Sequence, residues 1–300
     1  MTLALLFPGQ GSQSVGMGKS LSEASGPART VFEEADRVLG FPLSKLCFEG
    51  PEEQLRLTAN TQPAILTHSI AALADLRARF PEKLEGAVFA AGHSLGEYSA
   101  GVAAGAFSFA DAVALVRARG TFMQEAVPAG VGAMAAIVGL EPAAVEEACR
   151  EAAQGETVAP ANYNSPEQTV IAGHAAAVAR ASEGCLARGA KRAIALPVSA
   201  PFHCALMSPA RDRMKPLLEA TVFTDAAMPV VTNVDAAPET SGEKLRDALV
   251  RQIDSPVRWV ETVQRLAREG VDRALEIGPG NVLAGLVRRI DKSIKVEGHA

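Results

Sequence analysis

The stretch Gly92-His93-Ser94-Leu95-Gly96 places a serine between two glycines, where an apolar strand ending at Ala91 gives way at once to a helix. A nucleophile elbow needs this arrangement. The glycines remove two Cβ atoms, so the backbone can take a strained turn and a substrate can approach. Ser94 then stands at a helix N-terminus, where the dipole favours negative charge. The N–H of Leu95 would point at a developing oxyanion, and one such donor is worth roughly 3 kcal/mol of barrier. The plainer alternative is a serine N-cap between packing glycines.

A serine nucleophile needs a base, and the chain holds five histidines. His299 is in the tail. His68 sits mid-helix among apolar residues, as a satisfied core or surface histidine would. His174 follows a strand edge. His93 adjoins Ser94 in sequence, but adjacent side chains point apart, so it suits shaping the site. His203 lies in "VSAPFHCALM", a loop of small residues and proline between a strand and a helix, and is the best candidate general base.

A third candidate carries charge. Three and four residues from Arg119 lie Leu115, Val116, Phe122 and Met123, so the guanidinium falls on an apolar helix face. A buried guanidinium without a partner costs several kcal/mol. Either it forms an internal salt bridge with an Asp or Glu, or it waits for a substrate anion, whose carboxylate it could hold bidentately.

The first loop, "FPGQGSQSVG", does not fit the dinucleotide pattern, because Ser14 stands where a third glycine is required. Placed at the carboxyl end of a sheet, where open α/β sheets bind ligands, it could instead supply the Gln10 N–H as a second oxyanion donor.

These residues need a scaffold, and the chain alternates short apolar strands with longer helical patterns, which argues for an α/β fold with a mainly parallel sheet. Strands are predicted at Leu3–Phe7, up to Ala91, near Met228–Asn233 and at Arg273–Ile277. Helices are predicted at Thr61–Phe80, Phe109–Val127, Gly242–Gln252, Val257–Glu269 and Asn281–Ile290. Between about Gly130 and Ser199 the order is β-α-β-β-α-β, a ferredoxin-like unit inserted in the larger body. The expected organisation is a large α/β subdomain from residues 1–128 and 200–300, with a small subdomain at 129–199.

Composition narrows the function. The 300 residues carry a net charge of −5 and no long basic run, which argues against a nucleic-acid partner. "MTLALLFPGQ" has no basic leader segment, and no stretch approaches a membrane span. The four cysteines, Cys47, Cys149, Cys185 and Cys204, show no metal-ligand spacing and fit a reducing compartment.

Taken together, "FPGQGSQ", "NTQPAILTHS", "GHSLGEYSA", "VRARGTFMQEAVP", "NYNSPEQTVIAG", "LPVSAPFHCALM", "QIDSPVRW" and "EIGPGNVLAGL" resemble the malonyl-CoA:acyl carrier protein transacylase family, in the family's order and across nearly the whole chain. The resemblance implies an α/β-hydrolase-like large subdomain with a ferredoxin-like insertion. It implies transfer of malonyl from malonyl-CoA to the phosphopantetheine thiol of acyl carrier protein through a seryl ester, for fatty acid biosynthesis. Ser94 matches the acylated serine, His203 the base, and Arg119 the carboxylate-binding arginine. Gln252 matches a residue whose main-chain carbonyl orients the histidine in place of a triad acid. Gln10 and Leu95 match the oxyanion donors, and His93 and Asn162 match pocket-lining positions. Phe202 resembles the malonyl-type pattern, in which a bulky ring disfavours an α-methyl group. Cys204 departs from the small polar residue expected after the base. The resemblance further implies a cytoplasmic monomer without cofactor or metal. Lys191, Arg192, Arg288 and Arg289 are candidate charges for docking the carrier. A serine esterase or thioesterase with the same elbow is the main rival, and a non-catalytic carrier-docking module is a third reading.

Overall fold

Five consecutive apolar residues, Leu3–Phe7, have no polar face to offer water, so they read as a strand covered on both sides. In the computed structural model, which describes residues 2–198 and 200–300, all five are buried. This strand, β1, is central in a six-stranded sheet. Its neighbours are β2 (Ala87–Gly92) and β9 (Arg273–Ile277). Beyond β2 come β7 (Val230–Val231) and β8 (Pro238–Glu239), and beyond β9 comes β10 (Lys295–His299). All pairings are parallel except β7 with β8.

The register brings the chemistry to one edge. Phe7 stands opposite Gly92, and Ala91 opposite Val231. The carboxyl ends of β1, β2 and β7 therefore release the Gln10 loop, the Ser94 turn and Asn233 side by side, where open α/β sheets bind ligands.

A second sheet has the order β4-β5-β3-β6 and is wholly antiparallel. Its strands are β3 (Gly132–Val138), β4 (Val158–Ser165), β5 (Gln168–His174) and β6 (Arg192–Ala195). Helices Pro142–Ala153 and Ala175–Ala187 bury Val145, Cys149, Val178 and Cys185 against one face. This is the ferredoxin-like split unit expected from the sequence. It is joined to the large body by the Val257 segment. Val257 donates its N–H to Ala161 O at 2.9 Å, and its carbonyl accepts from Tyr163 N at 2.9 Å. The intervening Asn162 is thereby fixed at the junction.

The helix carrying Arg119, Phe109–Glu125, runs close across the start of the Thr58–Arg79 helix. Gly120 makes this possible: a Cβ there would lie 2.5 Å from Thr58 O. That close approach brings Arg119 beside Gln62.

Some expectations need correcting. The strand expected near Met228–Asn233 is only two residues long, and the one ending the insertion stops at Ala195; Ser199 lies outside the described residues. The segment taken as a tail is the edge strand β10. Its polar Lys295-Val296-Glu297-Gly298-His299 lacks an apolar run because edge strands face water. His299 is tied down, with Nε2 3.1 Å from the fully buried carboxylate of Asp75. His68 is buried as expected but is not satisfied: neither ring nitrogen has a hydrogen-bond partner among the described residues.

Burial, with a smaller contribution from the charge of His299, pushes the His68 imidazole down to about 4. An unfolded chain binds a proton at this position near pH 6.5, and the folded chain refuses it until about pH 4. Stability should therefore fall as pH drops through this window, by up to about 3 kcal/mol from His68 alone at about 1.36 kcal/mol per pH unit. His203, described below, contributes in the same direction. His68→Leu should flatten, without abolishing, the loss of urea midpoint between pH 7 and pH 5. An unchanged slope would mean that His68 is protonated in the folded protein.

Candidate active site

The elbow is held in a conformation that L-residues avoid. Ser94 has φ of 52°, in the left-handed region, where a non-glycine residue costs roughly 1–2 kcal/mol. Its flanking glycines are required by space: a Cβ on Gly92 would sit 1.9 Å from the Gly96 carbonyl, and one on Gly96 would sit 2.0 Å from Phe7 O. The turn is clamped by Asn233. Its Oδ1 accepts from Ser94 N at 2.7 Å, and its Nδ2 donates to Gly92 O at 2.7 Å.

His203 reaches the serine from the loop by which the chain re-enters the large body after the insertion. Its Nε2 is 2.7 Å from Ser94 Oγ. The other ring nitrogen, Nδ1, faces two carbonyls, Gln252 O at 3.0 Å and Ser255 O at 3.2 Å. Carbonyls only accept, so Nδ1 carries the proton and Nε2 is left bare to accept from the Ser94 hydroxyl. His203 also has a positive φ, 59°. Both members of the pair thus sit in strained backbone, as functional residues often do.

Burial is the main cause holding the His203 imidazole low, at about 3, and the Arg119 charge and His93 push the same way. The Gln252 and Ser255 carbonyls partly oppose them. The base is therefore neutral at physiological pH.

Arg119 is 1 % exposed. Its Nη1 donates to Gln62 Oε1 at 2.8 Å, and its Nη2 donates to Gln252 Oε1 at 2.8 Å and to Ser94 Oγ at 3.2 Å. Tyr98 lies under the guanidinium, 5.6 Å from ring centroid to Cζ. The internal salt bridge left open by the sequence is not what the site contains. The partners are neutral amides, and no carboxylate is within ion-pair reach among the described residues.

Ser94, His203, Arg119, Gln10, Leu95, His93, Asn162 and Phe202 line one cavity of about 120 Å³ between the two bodies. Met134, Leu196 and Val198 supply an apolar wall from the small subdomain and its exit. Pockets for drug-sized ligands span roughly 300–1,000 Å³, so this one suits a short acyl group with its carrier outside. Gln252 lies behind the cavity, fully buried, with its side chain on Arg119 and its carbonyl on His203. Gln10 and Leu95 line the same cavity, and their N–H groups have no hydrogen-bond partner among the described residues. His93 is held by Asn164, Nε2 to Oδ1 at 2.8 Å, and leans on Trp259. Cys204 is inert packing: its Sγ donates to Pro201 O at 3.2 Å, and burial pushes the thiol up to about 11. Among the described residues, no cluster of His, Cys, Asp and Glu could hold a metal ion.

Sequence reasoning missed Gln62, Asn233 and Asn164. Only Gln62 gave a signal, as an amide inside an otherwise apolar helix face.

Comparison with known proteins follows the same lines. The family described as "Acyl transferase domain" matches residues 4–298. The malonyl CoA-acyl carrier protein transacylase of Escherichia coli (strain K12) is 52 % identical over 287 residues, covering 96 % of this chain and 92 % of the relative. The Bacillus subtilis (strain 168) protein of the same name is 50 % identical over 294 residues, covering 98 % and 92 %. Among solved structures, an acyl-carrier-protein S-malonyltransferase from Bartonella henselae superposes with a TM-score of 0.97 at 47 % identity, covering 100 % of this chain and 95 % of that one. A malonyl-transacylase solved in complex with a type II polyketide acyl-carrier protein gives 0.95 at 49 % identity, covering 99 % and 96 %.

A base held at about 3 has a kinetic consequence. The acid limb of Ser94 acylation should fall well below the ordinary histidine value of 6.5, leaving the rate flat from pH 8 to pH 5. Single-turnover acylation against pH measures this. A limb centred near 6.5 would mean that burial and Arg119 do not act on His203 as described.

Proposed function

Because this chain belongs to the acyl transferase family, alongside malonyl CoA-acyl carrier protein transacylases, we propose a residue-by-residue course for the reaction such enzymes run. The chain is an acyltransferase that moves a malonyl group from malonyl-CoA to the phosphopantetheine thiol of acyl carrier protein. The product supplies fatty acid synthesis. One observation carries the assignment of roles: a buried guanidinium with no carboxylate partner among the described residues sits 3.2 Å from the nucleophilic oxygen, in a cavity sized for a short acyl group.

The malonyl carboxylate takes Arg119, which suits a bidentate hold. His203 Nε2 accepts the Ser94 proton as Oγ attacks the thioester carbonyl. The N–H groups of Gln10 and Leu95 receive the oxyanion. The C–S bond then breaks, the imidazolium returns its proton to the CoA sulfur, and malonyl remains as an ester of Ser94. In the second half, His203 takes the proton of the carrier thiol. The sulfur attacks the ester, and the proton passes to Ser94 Oγ as it leaves. The Gln252 and Ser255 carbonyls steady the imidazolium, in the place a triad acid would fill.

Arg119 has a further effect on the base. Its charge is among the causes that hold His203 low. A substrate carboxylate offsets that charge and lets His203 take the proton more readily, whereas an acetyl group leaves the charge in force. Selection of malonyl therefore acts on chemistry as well as on binding. Phe202, beside His203, narrows the cavity against an α-methyl branch.

The enzyme works as a monomer in the cytoplasm, with no cofactor or metal of its own. Among the described residues no helix is long and apolar enough to cross a membrane.

Intact mass of the wild type after malonyl-CoA, without carrier, should show one malonyl adduct that carrier protein then strips. Fatty acid and polyketide carriers tried side by side rank the acceptors. Ser94→Ala should show no adduct. Rapid CoA release without an adduct would favour a thioesterase instead. Arg119→Met should lower kcat/KM for malonyl-CoA by about a hundredfold or more, the scale of truncating one member of a buried charge pair. It should spare acetyl transfer. Equal losses for both acyl groups would remove Arg119 from selection.

A further inference from the structure

Glu97 lies three residues after the nucleophile, 2 % exposed, and the course of reaction above makes no use of it. A buried carboxylate is costly unless its oxygens are well occupied. Its Oε2 accepts two hydrogen bonds, from Gln252 Nε2 at 2.8 Å and from Asn233 N at 3.1 Å, while Oε1 has no partner among the described residues. Both donors matter. Asn233 clamps the elbow, and Gln252 serves His203 and Arg119 together.

The Gln252 amide has two orientations. In the one observed, its nitrogen donates to Glu97 and to Ser94 O at 2.8 Å, and its oxygen accepts from Arg119. In the flipped one, its NH₂ would face the guanidinium, donor against donor, and its oxygen would face two acceptors. We propose that Glu97 is a positioning residue: its buried oxygen locks the Gln252 amide with the oxygen toward Arg119, and so sets the guanidinium for the substrate carboxylate. The amide also works as a spacer. It lets a carboxylate stand near Arg119 without occupying the donors that malonyl needs.

The lock depends on an acceptor at the Oε2 position, not on charge. Asn233 N can only donate, so Oε2 must accept whatever the protonation state, and a proton would go to the unpartnered Oε1. Burial pushes this carboxyl up to about 7, against the lowering effect of its hydrogen bonds and of Arg119. The preference for malonyl over acetyl should nonetheless stay constant from pH 6 to pH 8.

Two variants separate reach from charge. Glu97→Gln keeps an oxygen at the Oε2 position and loses the charge. Glu97→Asp keeps the charge and withdraws the oxygen by one methylene. The readout is the ratio of single-turnover malonylation to acetylation of Ser94, with KM and kcat for malonyl-CoA. Glu97→Gln should hold the ratio within about threefold of wild type, and Glu97→Asp should lower it tenfold or more, with KM for malonyl-CoA rising. Any other pattern, including both variants keeping the ratio or both losing it, overturns the proposal. The inference rests on Arg119 as the carboxylate-binding group. The wild-type ratio tests that separately: a wild type with no malonyl preference sinks the Arg119 assignment before either variant is made.

Discussion

The site is organised around a cation that the fold buries and declines to neutralise directly. Arg119 is enclosed, and desolvation works against its charge. The amide oxygens of Gln62 and Gln252 occupy some of its donors without cancelling the charge. A direct ion pair would be internally stable, but it would leave nothing for a substrate anion to gain. Neutral partners keep the guanidinium ordered and still short of a counter-charge, the state in which an incoming carboxylate gains most. The buried carboxylate of Glu97 is held one amide away through Gln252.

The same arrangement determines how the base is oriented without an acid. Gln252 turns its side chain to Arg119 and its main-chain carbonyl to His203, so a shift in that residue would disturb selection and proton transfer together. Main-chain carbonyls fix the imidazole tautomer without adding a negative charge that would compete with malonyl for Arg119. The backbone strain at Ser94 and His203 fits this picture. Both residues are held at positive φ by neighbours that leave them little alternative, and their separation of 2.7 Å is set before substrate arrives.

Much of this was legible in the sequence where a single physical signal dominates. Leu3–Phe7 was readable as a strand because a continuous apolar run leaves few alternatives. Ser94 was readable from the spacing of its glycines, and Arg119 from a charge on an apolar helix face. The partners were not readable. Asn233 and Asn164 are neutral amides, and nothing local distinguishes one that clamps a turn from one that faces water; Gln62 stood out only as an amide on an apolar helix face, with nothing to name its partner. Glu97 looked like an ordinary first-turn acid, favourable at any helix start. The edge strand β10 escaped because one exposed side removes the apolar pattern, and with it went the pairing of His299 to Asp75. The Gln252 contact came only from family resemblance, since a main-chain carbonyl leaves no residue-type signature.

The most direct test is a crystal structure of the malonyl ester on Ser94, trapped before carrier protein is added. The malonyl carboxylate should lie on Arg119 with both oxygens within hydrogen-bond distance of guanidinium nitrogens. The ester oxygen should face the N–H groups of Gln10 and Leu95. A carboxylate pointing out of the cavity, with Arg119 still bound only to Gln62 and Gln252, would contradict the view that this buried cation is kept for the substrate.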